Sequence, residues 1–401
     1  MYLRHLSLTN YRIYARFESD LPRGPLILVG ANAQGKTSLL EALYYLATAQ
    51  SPHATADRQL IHFLTLREAQ PFARIVAEAV SRAETRRIEI RLLQEPSENG
   101  ESRLRKEILI NGVKKRLSDL AGLATVVLFL PQDLAILEGS PSDRRHYLDV
   151  ALSQVDPTYH LALGEYSKVL VQRNALLKLL ADGKGVESQL DFWDEKLCEH
   201  GALIIAARTA ALAELEALAS PIHRDLTNGA DGLRLAYLPS FDPAAAPAGQ
   251  LGLPLDVPLH RVGIPATEIR AGLQEKLRAT RANEIARGMT LSGPHRDELR
   301  LLASGIDLGT YGSRGQSRTA VLALKLAEME WMKAKTGEWP ILLLDEVLAE
   351  LDPNRRRDLL ARLSEAEQCL MTTTDLNLFP PEFTAKATVW RVQAGQVRRE
   401  E

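Results

Sequence analysis

The chain has 401 residues, 45% of them apolar, and a formal net charge of −2. That length allows two or three domains and that apolar share a sizeable core, which argues against wholesale disorder; the charge excludes a polycation, so any nucleic-acid binding must use a local patch. Cys198 and Cys369 stand far apart without a C-x-x-C partner, so neither a zinc site nor a disulfide framework is expected and a reducing, cytoplasmic setting is.

The stretch Met1 to Asn10 alternates apolar and polar residues; Leu3, Leu6 and Leu8 begin a strand, and the stretch does not read as a signal peptide. Tyr11 to Tyr14 follows the turn signal at Asn10. Leu26 to Val29 is a short buried strand that feeds Gly30-Ala31-Asn32-Ala33-Gln34-Gly35-Lys36-Thr37, a full match to G-x-x-x-x-G-K-[ST]. Thr37 to Leu46 has strong helical propensity. Strand, glycine loop and helix form the context that a phosphate-binding loop requires. Backbone N–H groups from Ala31 to Thr37 and the helix start supply oriented donors for a triphosphate. Gly30 and Gly35 let the backbone bend. Lys36 reaches the β- and γ-phosphates, Thr37 offers its hydroxyl to Mg²⁺, and Ser38 closes the binding stretch. ATP and Mg²⁺ are therefore the expected cofactors.

Phe72 to Leu93 and Glu107 to Ile110 read as strands of a meander, separated by a polar turn from Gln94 to Ser102. Val126 to Leu130 is a further buried strand, ending at Pro131-Gln132-Asp133. From Asp143 to about Ala219 the pattern is helical. Two long segments, Pro157 to Ala181 and Leu190 to Ala219, flank a break at Gly183 and Gly185 and are expected to pair as an antiparallel hairpin of roughly 35–45 Å. Leu233 to Leu238 suggests a strand, Asp242 to Pro258 a mobile Pro/Ala/Gly-rich loop, and Ala266 to Arg287 a helix. No apolar run reaches the roughly 18 residues of a membrane span, and no membrane association is expected.

Three further motifs follow. Tyr311 to Thr319 precedes a helix expected over Thr319 to Lys335, and its Ser313, Gly315 and Gln316 form a Ser-x-Gly-Gln segment. At a helix start such a segment binds an anion; its plainer reading is a glycine-containing loop. It resembles the signature motif of ABC-type ATPases, which closes on ATP held by another subunit. Ile341 to Leu344 is an apolar run closing on Asp345 and Glu346, the Walker B pattern. Asp345 would hold Mg²⁺ with Thr37, and Glu346 would polarise the attacking water, making Glu346 and Lys36 the candidate catalytic pair. The plainer reading is that the two carboxylates end a buried strand. Asp352, before Pro353, matches the D-loop of that class and is equally a helix N-cap. Gln132 stands where that class carries its Q-loop, or is a turn residue. Cys369–Thr372 and Thr388–Val392 read as closing strands. The expected fold class is α/β: an ABC-type P-loop ATPase head made from residues 1–135 and 290–401, with an inserted mainly helical lobe over 136–289 and no long coiled coil.

The chain resembles the RecF family, SMC-like ABC-type ATPases, over nearly its whole length. The resemblance rests on Asn10 to Tyr14, Gly30 to Ser38, Phe129 to Leu134, Gly139 to Asp149, Ser292 to Glu298, Tyr311 to Thr319 and Leu344 to Asp352, all in the family's order. It implies a homodimer formed with ATP and weak, DNA-stimulated ATP hydrolysis. It implies binding to double-stranded DNA near single-strand gaps and junctions. It also implies partnership with RecR, and with RecO through it, to help load RecA in repair, replication restart and SOS induction. Three departures stand out. Ser51-Pro52-His53-Ala54-Thr55 lacks the family's basic residue, Gln132 replaces a common Glu, and no His follows Met371 to Asp375, where Thr374 or Asp375 takes the H-switch place. A transporter subunit and a structural module that uses ATP only as glue are the competing readings. For DNA, Arg82, Arg86, Arg87, Arg91, Arg103, Arg105, Lys106, Lys114, Lys115 and Arg116 form a candidate duplex-facing patch, although each alone reads as a solvated sheet edge. Arg355 to Arg357 reads as an exposed helix face. Few aromatics interleave with these cations, so stacking on single strands is not expected.

Overall fold

In a computed structural model the described residues are 1–68, 70–96, 102–229, 232–244 and 261–399. The regular elements are, in chain order, β1 (Tyr2–Tyr11), β2 (Tyr14–Asp20), β3 (Gly24–Val29), α1 (Lys36–Thr48), β4 (Phe72–Val80), β5 (Thr85–Pro96), β6 (Ser102–Ile110), β7 (Val113–Lys115) and β8 (Val126–Phe129). Then come α2 (Ala135–Glu138), α3 (Pro141–Val155), α4 (Pro157–Ala181), α5 (Leu190–Leu226), β9 (Arg234–Leu238), α6 (Ala266–Arg287), β10 (Glu298–Ala303), β11 (Ile306–Asp307), α7 (Leu308–Tyr311) and α8 (Arg314–Thr336). The last are β12 (Ile341–Asp345), α9 (Pro353–Leu363), β13 (Gln368–Thr373), α10 (Pro381–Thr384), β14 (Thr388–Gln393) and β15 (Gln396–Arg399).

The chain divides into two units, Met1–Asp133 with Glu328–Glu401, and Leu134–Ala327. The sequence reading grouped residues 290–327 with the C-terminal part of the head. Here they share a unit with the helices, and α8 runs across the division.

The first unit holds two six-stranded sheets. One, ordered β2-β1-β4-β5-β6-β7, is antiparallel. The other, ordered β15-β14-β3-β13-β12-β8, is parallel except for β15. Helix α1 touches β4 and β5 of the first and β8, β12 and β13 of the second. This explains its sequence: Leu39, Leu40, Ala42, Leu43, Tyr45 and Leu46 are all buried, because a helix between two sheets has no solvent face. All five residues of β12 are buried as well, the continuous apolar run of a central parallel strand. Pairing of Thr373 with Val29 and of Asp345 with Thr372 sets the C-terminal ends of β3, β13 and β12 side by side. That edge of an open parallel sheet is where ligands bind.

In the second unit α4, α5 and α6 pack together beside a three-stranded antiparallel sheet, β11-β10-β9. Helices α4 and α6 have the expected limits. Helix α5 continues past Ala219 to Leu226 with Pro221 inside it. A proline lacks the N–H and crowds the carbonyl four residues back; burial of Ile222 and Leu226 offsets that cost. The loop expected from Asp242 to Pro258 lies mostly outside the described residues, as do 97–101 of the Gln94–Ser102 turn. Among the described residues no helix is long and apolar enough to cross a membrane, and both cysteines are buried and unbridged.

Two charge networks hold the second unit. Arg173 of α4 is fully buried and donates to Asp194 of α5, Glu284 of α6 and Thr290, each at 2.7 Å. The other oxygens of these carboxylates accept from Arg281 (2.6 Å) and from the Leu291 N–H (2.7 Å). The second network joins the two stretches that carry the family resemblance most specifically. Arg144 grips Glu298, Arg145 donates to the Asp297 carbonyl at 2.7 Å, and Arg208 links Asp149 to the Pro294 carbonyl at 2.7 Å each. Across the two stretches these charged side chains are satisfied by one another and by backbone carbonyls.

His295 lies in the same region, its Nδ1 2.6 Å from the Tyr166 hydroxyl. Burial lowers its pKa to about 4, from the ordinary 6.5. The unfolded chain therefore takes up the proton first. Stability is full above about 6.5 and declines toward about pH 4, by on the order of 2–3 kcal/mol. Melting temperatures between pH 7 and pH 4.5 are expected to fall less in His295→Gln than in the wild type; equal slopes would remove His295 as the cause.

Candidate nucleotide site

The loop between β3 and α1 is shaped by what surrounds it. Gly30 passes so close to β14 that a Cβ there would come 2.2 Å from the Val392 carbonyl oxygen. Gly35 has φ +107°, and a Cβ would meet Ile13 at 2.5 Å, so only glycine fits. Gln34 braces the loop to the β14–β15 turn: its side-chain oxygen accepts from the Ala394 N–H at 2.6 Å and its carbonyl from the Gly395 N–H at 3.1 Å. Among the described residues, the N–H groups of residues 31–38 find no acceptor in the protein. A row of unpaired donors at a helix start fits a phosphate chain.

Lys36 is 3% exposed, and its Nζ donates to the Gly30 and Ala31 carbonyls at 2.8 and 2.9 Å. It also lies 3.1 Å from the Glu346 carboxylate. The Thr37 hydroxyl donates to Asp345 at 2.9 Å, and the Thr372 hydroxyl donates to the same carboxylate at 2.7 Å. Thr372 in turn accepts the Glu346 N–H at 2.9 Å. Glu346 has φ 55° and ψ 13°, a left-handed conformation unusual for a side-chain-bearing residue; it turns this carboxylate out of the strand and toward Lys36. A hydroxyl and a carboxylate already in contact suit a hard divalent cation, which takes oxygen ligands.

The structure thus brings Lys36, Thr37, Asp345 and Glu346 together. Asp352 caps α9, accepting from the N–H groups of Asn354 and Arg355 at 3.0 and 3.1 Å. Gln132 hydrogen-bonds the His53 ring at 3.2 Å, so two of the departures from the family pattern meet each other. Asp375 caps the short turn after β13, accepting from the Asn377 N–H. In the second unit Ser313 and Gln316 form a capping box: the Ser313 N–H donates to the Gln316 side chain at 2.8 Å, and the Gln316 N–H to the Ser313 hydroxyl at 3.3 Å. Helix α8 therefore starts at Arg314, and Gly315 lies in its first turn rather than before it. The Gln34 brace went unseen in the sequence; its partners lie 360 residues away.

Many cations of the candidate DNA patch already have carboxylate partners. Arg91 and Arg87 converge with Arg74 on Glu89, at 2.6, 3.7 and 2.8 Å. Hydrogen bonds from Arg74, then Arg91, hold the Glu89 carboxyl down at about 2. Arg105 meets Glu95 and Glu107, Lys114 meets Glu107, and Arg86 meets Glu84. Lys106 turns inward to Asp57 at 2.8 Å and the Tyr45 ring. Of the Arg355–Arg357 run, Arg356 also turns inward, donating to the Leu348, Leu351 and Leu378 carbonyls.

The parallel sheet, the phosphate loop with its Walker B carboxylates, and the six-stranded antiparallel sheet of the same unit define an ABC-type P-loop ATPase head of the SMC-like kind. Residues 2–393 match the family model described as RecF/RecN/SMC N terminal domain. The DNA replication and repair protein RecF of Chloroflexus aurantiacus is 40% identical over 410 aligned positions, 99% of each chain, and that of Exiguobacterium sp. is 36% identical over 100% of each. The chain belongs to the RecF family. Among solved structures, that of the recombination mediator protein RecF-ATP in the RecFOR pathway covers 100% of this chain and 98% of its own, with TM-score 0.83 and 31% identity. An SMC head bound to the C-winged helix domain of ScpA shares the fold, with TM-score 0.52 at 16% identity over 100% of this chain and 97% of its own.

Proposed function

We propose that this chain is an ATP-dependent, DNA-binding recombination mediator that dimerises around ATP. It would bind duplex DNA near single-strand gaps and act with RecR, and RecO through it, to help load RecA. The observation that carries the ATP reading is the pre-assembled quartet of Lys36, Thr37, Asp345 and Glu346 beside a row of unpaired backbone donors. Full-length relatives described as DNA replication and repair proteins, and a similar RecF structure with ATP, support the rest.

The N–H groups of residues 31–38 and Lys36 would hold the phosphates, and Lys36 would exchange Glu346 for phosphate oxygens. Thr37 and Asp345 would hold Mg²⁺, which supplies charge neutralisation between the phosphates. Glu346, released from Lys36, would orient and polarise the attacking water. Ser313, with the N-terminal end of α8, would bind the γ-phosphate held by a second copy. The same capping hydroxyl is then available for an anion, as Asp352 is both cap and D-loop residue. Hydrolysis in such a sandwich would be weak and stimulated by DNA.

The test combines light scattering with duplex-DNA titrations in ATP and in ADP across a salt series. The expected result is a dimer in ATP alone, lost in Ser313→Arg, that binds duplex DNA with a steep salt dependence. A mass that ignores nucleotide, or a Ser313→Arg dimer, would remove the sandwich. Binding to DNA that is absent in both nucleotides would remove the link to DNA repair.

A further inference from the structure

The Arg144–Glu298 pair lies outside the nucleotide site. Arg144, in the first turns of α3, is gripped at both ends. Its Nε and Nη2 donate to the two Glu298 oxygens at 2.7 and 2.9 Å, and its Nη1 donates to the Gly139 and Leu137 carbonyls at 2.9 and 3.2 Å. Arg144 is 12% and Glu298 20% exposed, so the pair is largely shielded from water. Leu137 and Gly139 belong to the end of α2, and Glu298 opens β10. One guanidinium therefore joins the segment that follows Gln132 to the strand that leads into the signature.

The path from that strand to Ser313 is short and tightly held. Strand β10 turns back into β11, where Leu302 pairs with Asp307. Asp307 caps α7, accepting from the Gly309 N–H at 3.0 Å. Helix α7 sits on α2: a Cβ on Gly309 would come 2.6 Å from the Leu137 carbonyl oxygen, one of the atoms Arg144 holds. Gly312, next along, leaves no room for a Cβ against the Leu308 carbonyl at 2.4 Å. Ser313 follows. Arg144 thus fixes both supports of α7, the α2 carbonyls beneath it and the strand feeding it.

We infer that Arg144, through Glu298 and the α2 carbonyls, is a positioning residue for the signature: it sets the place of Ser313 for the nucleotide of a second copy and touches no nucleotide itself. The inference rests on the trans-site reading above. Lysine in its place would supply one point donor where the planar fork makes four contacts.

The experiment measures three quantities on the full chain: affinity for a fluorescent ATP analogue, the protein concentration at half-dimerisation in ATP, and the melting temperature. Arg144→Ala and Gly309→Ala are compared with the wild type and with Ser313→Arg. Gly309→Ala keeps the arginine and shifts α7 by its methyl group, so it serves even if Arg144→Ala fails to fold. Both are expected to bind the analogue within about twofold of the wild type. Their dimerisation midpoints are expected to rise about tenfold or more, the factor for one charge-assisted hydrogen bond. Glu298→Gln, which keeps acceptor capacity, is expected to fall between. The inference is overturned if Gly309→Ala dimerises like the wild type, or if affinity, dimerisation and melting temperature decline together. If Ser313→Arg itself dimerises in ATP, the trans-site reading has failed first; if it does not, while the other two dimerise normally, only the positioning role is lost.

Discussion

Glu346→Gln is expected to lower ATP turnover on the order of 10²–10³-fold and to lengthen the life of the ATP-held dimer. The carboxylate is delivered by a left-handed backbone turn at the end of a fully buried strand, so its position depends little on the side chain's own charge. Glutamine keeps the shape and loses the ability to take a proton from water. It also removes the charge that holds Lys36 at 3.1 Å, so ATP affinity should stay the same or rise. Lys36→Ala should do the opposite, losing affinity, since it strips the only ammonium from a loop whose other donors are neutral N–H groups. Phosphate release in a single turnover, with light scattering on the same sample, separates the two. An unchanged rate in Glu346→Gln would mean that another group activates the water, and would favour ATP as a structural glue.

Arg173→Met should destabilise the helical unit by about 3–5 kcal/mol. The loss comes from what is left behind: Asp194 and Glu284, both buried, each lose a 2.7 Å partner. The triple variant Arg173→Met, Asp194→Leu, Glu284→Met should recover most of that loss, because a shielded ion pair roughly balances its own desolvation. Urea unfolding followed through Trp193, beside Asp194 in α5, reads the difference. If the single and triple variants unfold alike, the cluster contributes through packing and not through charge.

The parts of this molecule that the sequence makes legible are those whose partners lie close by. The phosphate loop announces itself because its glycines, lysine and helix are contiguous, and the Walker B strand because a central parallel strand must be apolar throughout. The α4 and α6 limits follow from local punctuation at Pro157, Gly183 and Gly288. The capping box at Ser313 and Gln316 is also local, and it starts α8 at Arg314, five residues before the expected Thr319. What stays hidden depends on distant pairing. Periodicity reveals that α4 is a helix but not that Arg173 faces two carboxylates more than twenty residues away. A row of cations between 82 and 116 does not reveal in the sequence that Arg105 and Lys114 meet Glu95 and Glu107 on neighbouring strands, or that Arg74 reaches Glu89 across the sheet.

The order of strands in the parallel sheet has a consequence for how the protein comes into being. Strand β3 sits between β14 and β13, so a strand made early is flanked by two that are made much later. The Gln34 brace waits for Ala394 and Gly395, about 360 residues later. At about 5–20 residues per second that delay is roughly twenty seconds to a minute. Throughout it the apolar segment Leu26 to Val29 has neither neighbour, and the loop that follows lacks the turn that fixes it. Until those later segments are made, a nascent chain lacks the turn that fixes its phosphate loop, and Leu26 to Val29 stays open to chaperones.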